Sequence, residues 1–166
     1  MRLLLHGKKF SKESGVYILN FISQANKERV KLIYSTEFCQ ILEKNIEKDN
    51  NNELKTISSI DDNTKKDIDY LVCFGGDGTI LNAATIVKNY EIPIVGINMG
   101  RLGFLATISK HQLSSLIESL RQKQYHLSQR TLVHMNATET LIHFPFALNE
   151  ISVSSKESSS MINLRV

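Results

Sequence analysis

The stretch that most constrains this chain is Tyr70-Leu71-Val72-Cys73-Phe74, an unbroken apolar run that stops at Gly75-Gly76-Asp77-Gly78-Thr79. A run without polar alternation fits a strand covered on both faces, and such strands belong to parallel sheets with helices on either side. Leu81, Ala84, Ile86 and Val87 then recur at helical spacing over Ile80 to Asn89, so the order is strand, glycine turn, helix. The alternation extends in both directions. Arg2 to Leu5, Val30 to Tyr34, Leu54 to Ile57 and Ile92 to Ile97 read as further strands. Ser14 to Lys27, with Val16, Leu19, Ile22 and Ala25 on one face, reads as a helix, as does Ser35 to about Lys48, with Phe38, Ile41 and Leu42 turned inward. Ser109 to Gln122 is the clearest helix: Ser109 and Gln112 make a capping box, and Leu113, Leu116, Ile117 and Leu120 form one stripe. Alternating strands and helices define an α/β domain with an open parallel sheet.

After Tyr125 the pattern changes to strands only: Leu127 to Ala137, Leu141 to Phe144, Phe146 to Val153 and Ile162 to Val166. The expected organisation is an α/β nucleotide-binding domain over 1–126 and the beginning of an all-β, sandwich-like domain over 127–166. An all-β piece of about 40 residues buries too little surface to stand alone, so the chain reads as the N-terminal part of a longer protein. The 166 residues carry a net charge of +3 and no long basic run, which leaves nucleic acid without an electrostatic footprint and suits a small anionic ligand. Cys39 and Cys73 stand apart from any Cys/His cluster, and the five histidines (6, 111, 126, 134 and 143) lack metal-ligand spacing, so reduced buried thiols and no metal site are expected. With no signal peptide and no apolar stretch of membrane-spanning length, a cytoplasmic protein without membrane contact is expected.

Six of the eight glycines fall between positions 75 and 103. Glycine marks places where the backbone takes positive φ or meets something closely. The carboxyl end of a buried strand is where open α/β sheets bind ligands, and glycines there let successive N–H groups converge on a phosphate at a helix N-terminus. The phrase is not a Walker loop, since no Gly-Lys-Ser/Thr follows, nor a GxGxxG fingerprint, since Leu81 holds the third glycine position. Asp77 in the middle of such a cradle has three readings: a base toward an attacking hydroxyl, a contact to nucleotide-bound Mg²⁺, or a helix cap. In the next loop, Asn98-Met99-Gly100-Arg101-Leu102-Gly103-Phe104-Leu105, Phe104 can stack on a ligand ring or plug the core, and Arg101 can meet phosphate or stay solvated. In Ala147-Leu148-Asn149-Glu150-Ile151-Ser152-Val153 the apolar positions switch parity across Asn149 and Glu150, as a bulge aiming both at a ligand would produce; an ordinary edge strand is the other reading. Lys8 and Lys9 can hold phosphate or form a solvated turn.

Taken jointly, Phe74-Gly75-Gly76-Asp77-Gly78-Thr79, Asn98 to Ala106 with its Gly-Arg-Leu-Gly-Phe-Leu core, and Ala147-Leu148-Asn149-Glu150 closely resemble the NAD kinase family in order and spacing. The resemblance implies a phosphofructokinase-like or Rossmann-like first domain. It implies phosphoryl transfer from ATP, or from polyphosphate in some members, to the 2′-hydroxyl of the adenosine ribose of NAD, giving NADP. On that reading Asp77 is the base, and Gly75, Gly76 and Gly78 let the backbone approach the nucleotide. Leu81, Phe104 and Leu105 line the adenine side, Arg101 meets phosphate, and Asn149 and Glu150 hold adenine and ribose hydroxyls. Asn82 stands where relatives often carry Arg, and Ser160 where relatives place a basic residue or histidine near the substrate. Mg²⁺ or another divalent ion with ATP, NAD as substrate, and a homodimer or homotetramer complete the implied picture. The family's later TGSTAYSLSAGGP segment is absent, so a truncated, non-catalytic nucleotide-binding fragment is the main alternative. A lipid kinase of the diacylglycerol type shares GGDGT but lacks GRLGFL.

Overall fold

Six parallel strands form the sheet of the first unit: β1 (Arg2–Gly7), β2 (Lys31–Ser35), β3 (Thr56–Ile57), β4 (Tyr70–Gly75), β5 (Ile94–Asn98) and β6 (Ile108–Ser109), side by side in the order β3-β2-β1-β4-β5-β6. The computed structural model describes residues 1–8, 10–45, 54–100, 103–136 and 144–152. The chain runs outward from β1 to β3, returns to β4 beside β1, and then runs the other way. The order therefore reverses between β1 and β4, and a crevice opens at the carboxyl ends of those two strands. Leu3, Leu4 and Leu5 on β1 and Leu71, Val72 and Phe74 on β4 are completely buried, as expected for central strands covered on both faces.

Helices α1 (Lys12–Lys27), α2 (Thr36–Asn45) and α4 (Leu113–Arg121) cover one face. There Ile18, Phe21, Phe38, Leu116 and Ile117 pack on Leu3, Leu5, Val72 and Phe74. Phe38 stacks on Phe74 with ring centroids 5.5 Å apart, and Phe21 meets it edge-on at 5.7 Å. Helix α3 (Asp77–Val87) covers the other face, where Ala83 and Val87 pack with Leu4, Leu71, Cys73, Ile60 and Ile68. The α/β class and the element order agree with expectation, and so does the capping box: Ser109 Oγ accepts the His111 N–H while Gln112 Oε1 accepts the Ser109 N–H at 2.9 Å.

Several local expectations are corrected. Helix α1 buries Ser14, Gly15, Ile18, Phe21 and Ala25, while Val16 is 56% and Leu19 39% exposed; the inward stripe is rotated because Phe21 and Ile18 fill the sheet surface. Helix α3 begins at Asp77, not Ile80, so Asp77 and Gly78 lie in its first turn. The loop after β5 runs to Thr107 as expected and is followed by β6, a short edge strand too brief to carry a periodic signal, so that α4 begins at Leu113 after a single 3-10 turn and not at Ser109.

The second unit, Arg130–Val166, contains a two-stranded antiparallel sheet, β7 (Val133–His134) and β8 (Phe146–Ala147), with Val133 opposite Ala147 and His134 opposite Phe146. The expected strand Phe146 to Val153 ends at Ala147, where the chain bends at Leu148 and Asn149. The expected strands Leu141 to Phe144 and Ile162 to Val166 lie wholly or mostly outside the described residues. Among the described residues no helix is long and apolar enough to cross a membrane.

Two outcomes follow for the first unit. Phe74→Ala, which empties the space between Phe21 and Phe38, is expected to cost about 3–5 kcal/mol in urea denaturation. His6, fully enclosed, is driven to stay neutral chiefly by burial, with Lys8 adding to the effect and Glu37 and Asn82 opposing it. The unfolded chain takes up a proton near pH 6.5 and the folded chain only at lower pH. Its contribution is thus complete above about pH 6.5, and the melting temperature is expected to fall as pH drops below that value, by less in His6→Gln.

Candidate functional site

Strand β4 ends at Gly75 and the helix starts two residues later, with Gly76 as an extended cap residue (φ −97°) that offers no side chain to the first turn. The Thr79 N–H donates to the Gly76 carbonyl at 2.9 Å. Asp77 therefore does not cap α3. Its carboxylate reaches across to the loop after β5: Oδ2 accepts the Phe104 N–H at 2.8 Å, and Oδ1 accepts those of Leu105 and Ala106 at 2.9 and 3.0 Å. Three consecutive amides thus converge on one carboxylate, an anion-receiving concavity filled by the chain's own side chain. The amides of Ala106, Phe104 and Leu105 hold the carboxyl below the usual aspartate range. At neutral pH it is an anion with one of about four lone-pair positions, on Oδ2, left over.

The glycines are explained by space. Four other residues, Arg29, Lys88, Glu91 and Lys123, take left-handed backbone, and no described glycine does. A Cβ on Gly103 would fall against Asp77 Oδ1 and lie 2.6 Å from Cγ and 2.7 Å from Oδ2. Gly103 is thus what allows the loop to close on the carboxylate. Around Gly76, Gly78 and Gly100, by contrast, a Cβ would meet nothing within 4 Å, so the backbone there stands open to the crevice. The start of the second loop is tied down as well: Asn98 Oδ1 accepts the Gly100 N–H at 2.8 Å, and the Met99 carbonyl accepts Ser14 Oγ–H at 3.1 Å.

Of the residues singled out from sequence, Gly75, Gly76, Asp77, Gly78, Phe104 and Leu105 come together here. Phe104 is 92% exposed, which excludes the core-plug reading. Leu81 is half-buried. Asn82 keeps its Oδ1 buried and without a partner. Arg101, Lys9 and Ser160 lie outside the described residues. Asn149 and Glu150 belong to the second unit and follow the bend after β8, both exposed, so they stand on irregular backbone and not on a bulged strand. Glu150 borders an open pocket of about 250 Å³ with Met135, Phe144, Pro145, Phe146 and Ile151. Cys39 and Cys73 are free buried thiols, and no group of three His, Cys, Asp or Glu residues able to hold a metal is found among the described residues.

Two features went unread in the sequence: the Asp77 strut to residues 104–106, and buried His6 at the end of β1. The first has a signal only in retrospect, a glycine at 103 with no turn to justify it. The second was visible as a lone polar residue closing the run Leu3-Leu4-Leu5.

Gly103→Ala is expected to expel the Asp77 carboxylate from its three amides. In NMR titration the Asp77 carboxyl then rises toward its ordinary value, and the amides of Phe104, Leu105 and Ala106 exchange faster than in the parent chain.

Comparison with known proteins agrees with this geometry. The family model described as the ATP-NAD kinase N-terminal domain matches residues 9–125. The NAD kinase of Christiangramia forsetii is 36% identical over 169 residues, covering 99% of this chain and 56% of that protein. The NAD kinase of Flavobacterium psychrophilum is 34% identical over 167 residues, with the same coverage. The chain thus spans just over half the length of these relatives. Among solved structures, yeast NADH kinase complexed with NADH superposes with a TM-score of 0.62 over 83% of this chain and 44% of its own, at 18% identity, a likeness of fold. With a strand, glycine turn and helix at the reversal of the sheet order, and a family match over most of its length, the chain belongs to the NAD kinase family.

Proposed function

We propose that the complete protein transfers a phosphoryl group from ATP, or from polyphosphate, to the 2′-hydroxyl of the adenosine ribose of NAD, giving NADP. The observation that carries this reading is the Asp77 carboxylate, ionised and fixed by three amides at the mouth of an open glycine crevice. Phosphoryl transfer asks for positioning more than for a strong base. A carboxylate held below its usual range is a weak proton acceptor, so Asp77 works mainly by orientation: the free lone pair on Oδ2 receives the hydroxyl hydrogen and aligns the oxygen, and takes the proton as the new bond forms. The open backbone at Gly76, Gly78 and Gly100 lets phosphate oxygens or ribose approach. Exposed Phe104, with Leu81 and Leu105, offers an apolar face to adenine. Arg101, Asn82 and Ser160 are further ligand contacts on this reading, and Asn149 and Glu150 hold the dinucleotide's hydroxyls. Mg²⁺ enters with ATP as part of the substrate.

The domain division near residue 127, a cytoplasmic location and a homodimer or homotetramer belong to the same proposal. Because the relatives are nearly twice as long, the 166-residue chain alone is expected to bind NAD and to give little NADP.

The test is NADP formation by the complete protein with ATP, Mg²⁺ and NAD. Asp77→Asn is expected to lower kcat by about 10²–10⁴-fold. It should also raise KM for NAD, because one carboxylate oxygen becomes an NH₂ group facing a backbone N–H. Phosphorylation of a diacylglycerol with no NADP formed would overturn the assignment.

A further inference from the structure

His6 is fully buried on the α3 side of the sheet, next to Ser35 on β2 and to Cys73, its register partner on β4. Its Nδ1 lies 2.9 Å from Ser35 Oγ, and that oxygen already accepts the Phe38 N–H at 3.3 Å. The arrangement that uses the Ser35 proton has the hydroxyl donating to Nδ1, which leaves a neutral imidazole with its hydrogen on Nε2. That Nε2 is buried without a partner, and so is Oδ1 of Asn82 on α3, whose side chain flanks the ring. A buried donor and a buried acceptor, adjacent and both unsatisfied, each carry a desolvation cost that one hydrogen bond between them removes.

We propose that His6 is a positioning residue for the nucleotide crevice: its Nε2–H pairs with Asn82 Oδ1 and so ties α3 to the end of β1, holding the first turn of α3 where Asp77 meets the amides of residues 104–106. Asn82 stands about one and a half turns into the helix that Asp77 begins, a distance over which a helix is rigid. The chain of contacts is Phe38 N–H to Ser35, Ser35 to His6, His6 to Asn82, and through α3 to Asp77. His6 itself meets no substrate. It links β1, the β2–α2 junction and α3 across the reversal of the sheet order.

The test uses amide exchange in the complete protein, with a kinetic arm that alone rests on the NAD kinase reading. In His6→Leu and in Asn82→Leu, exchange at Phe104, Leu105 and Ala106 is expected to rise about tenfold. His6→Gln, which can still accept from Ser35 and donate to Asn82, is expected to stay within about threefold of the parent. Leu116→Ala, on the opposite face of the sheet, serves as the control: it lowers the melting temperature and leaves the three amides protected. Unchanged exchange in both leucine variants, or equal loss in the control, overturns the proposal, as does a ¹⁵N imidazole spectrum with the His6 hydrogen on Nδ1. If His6→Leu fails to fold, Asn82→Leu at its half-buried position carries the exchange test. In the kinetic arm His6→Leu, whose residue meets no substrate, lowers kcat for NADP formation more than it raises KM. If the parent makes no NADP the functional reading fails, and the exchange arm still decides the role of His6.

Discussion

The Asp77 carboxylate, bonded to three consecutive amides, joins two segments that the sheet itself leaves separate: the first turn of α3 and the loop between β5 and β6. Both emerge at the carboxyl edge of the sheet, where no ladder hydrogen bond reaches them. A single acidic side chain at the start of the helix closes that gap, and the closeness of the closure dictates a glycine opposite it. The crevice owes its shape to this contact more than to the glycine turn that first attracts notice. The remaining features fit around it: Gly96 is small enough for the Ile80 side chain of α3 to lie on β5, and Asn98 with Ser14 fixes the upstream end of the loop.

The sequence made the α/β order, the central buried strands and the capping box at Ser109 ahead of α4 legible, because each rests on local periodicity or on a short capping pattern. It misplaced the inward face of α1, where Val16 and Leu19 have the right spacing but Ile18 and Phe21 reach the sheet. Periodicity states that a stripe exists, and packing volume chooses among neighbouring stripes. The role of glycine was half legible. Its clustering located the site, but the conformational reason offered for it does not apply, since the left-handed positions fall to Arg29, Lys88, Glu91 and Lys123. Asp77 was recognised as the anomaly in a phosphate cradle, yet its partners lie in a loop that only the tertiary fold brings near. Asn149 and Glu150 were read as a bulge because parity changes there; the chain instead leaves the strand and bends, which changes parity equally well.

The two faces of the sheet have different chemistry. The side covered by α1, α2 and α4 is apolar and dominated by stacked phenyl rings. The α3 side is also apolar, but near the crevice it changes to His6, Ser35 and Asn82, polar groups enclosed by strands and helix. The polar end of the second side lies one helix away from the carboxylate that organises the site.

Phe104, 92% exposed on a loop whose backbone is pinned, keeps a phenyl ring in water without freedom to fold away. Covering such a ring with any flat apolar partner gains about 1.5–3 kcal/mol, and the free state has already met the backbone share of the ordering cost, leaving only that of the side chain. The ring is therefore a standing adhesive. What rests on it need only be flat and apolar, since the loop beneath the ring is already ordered.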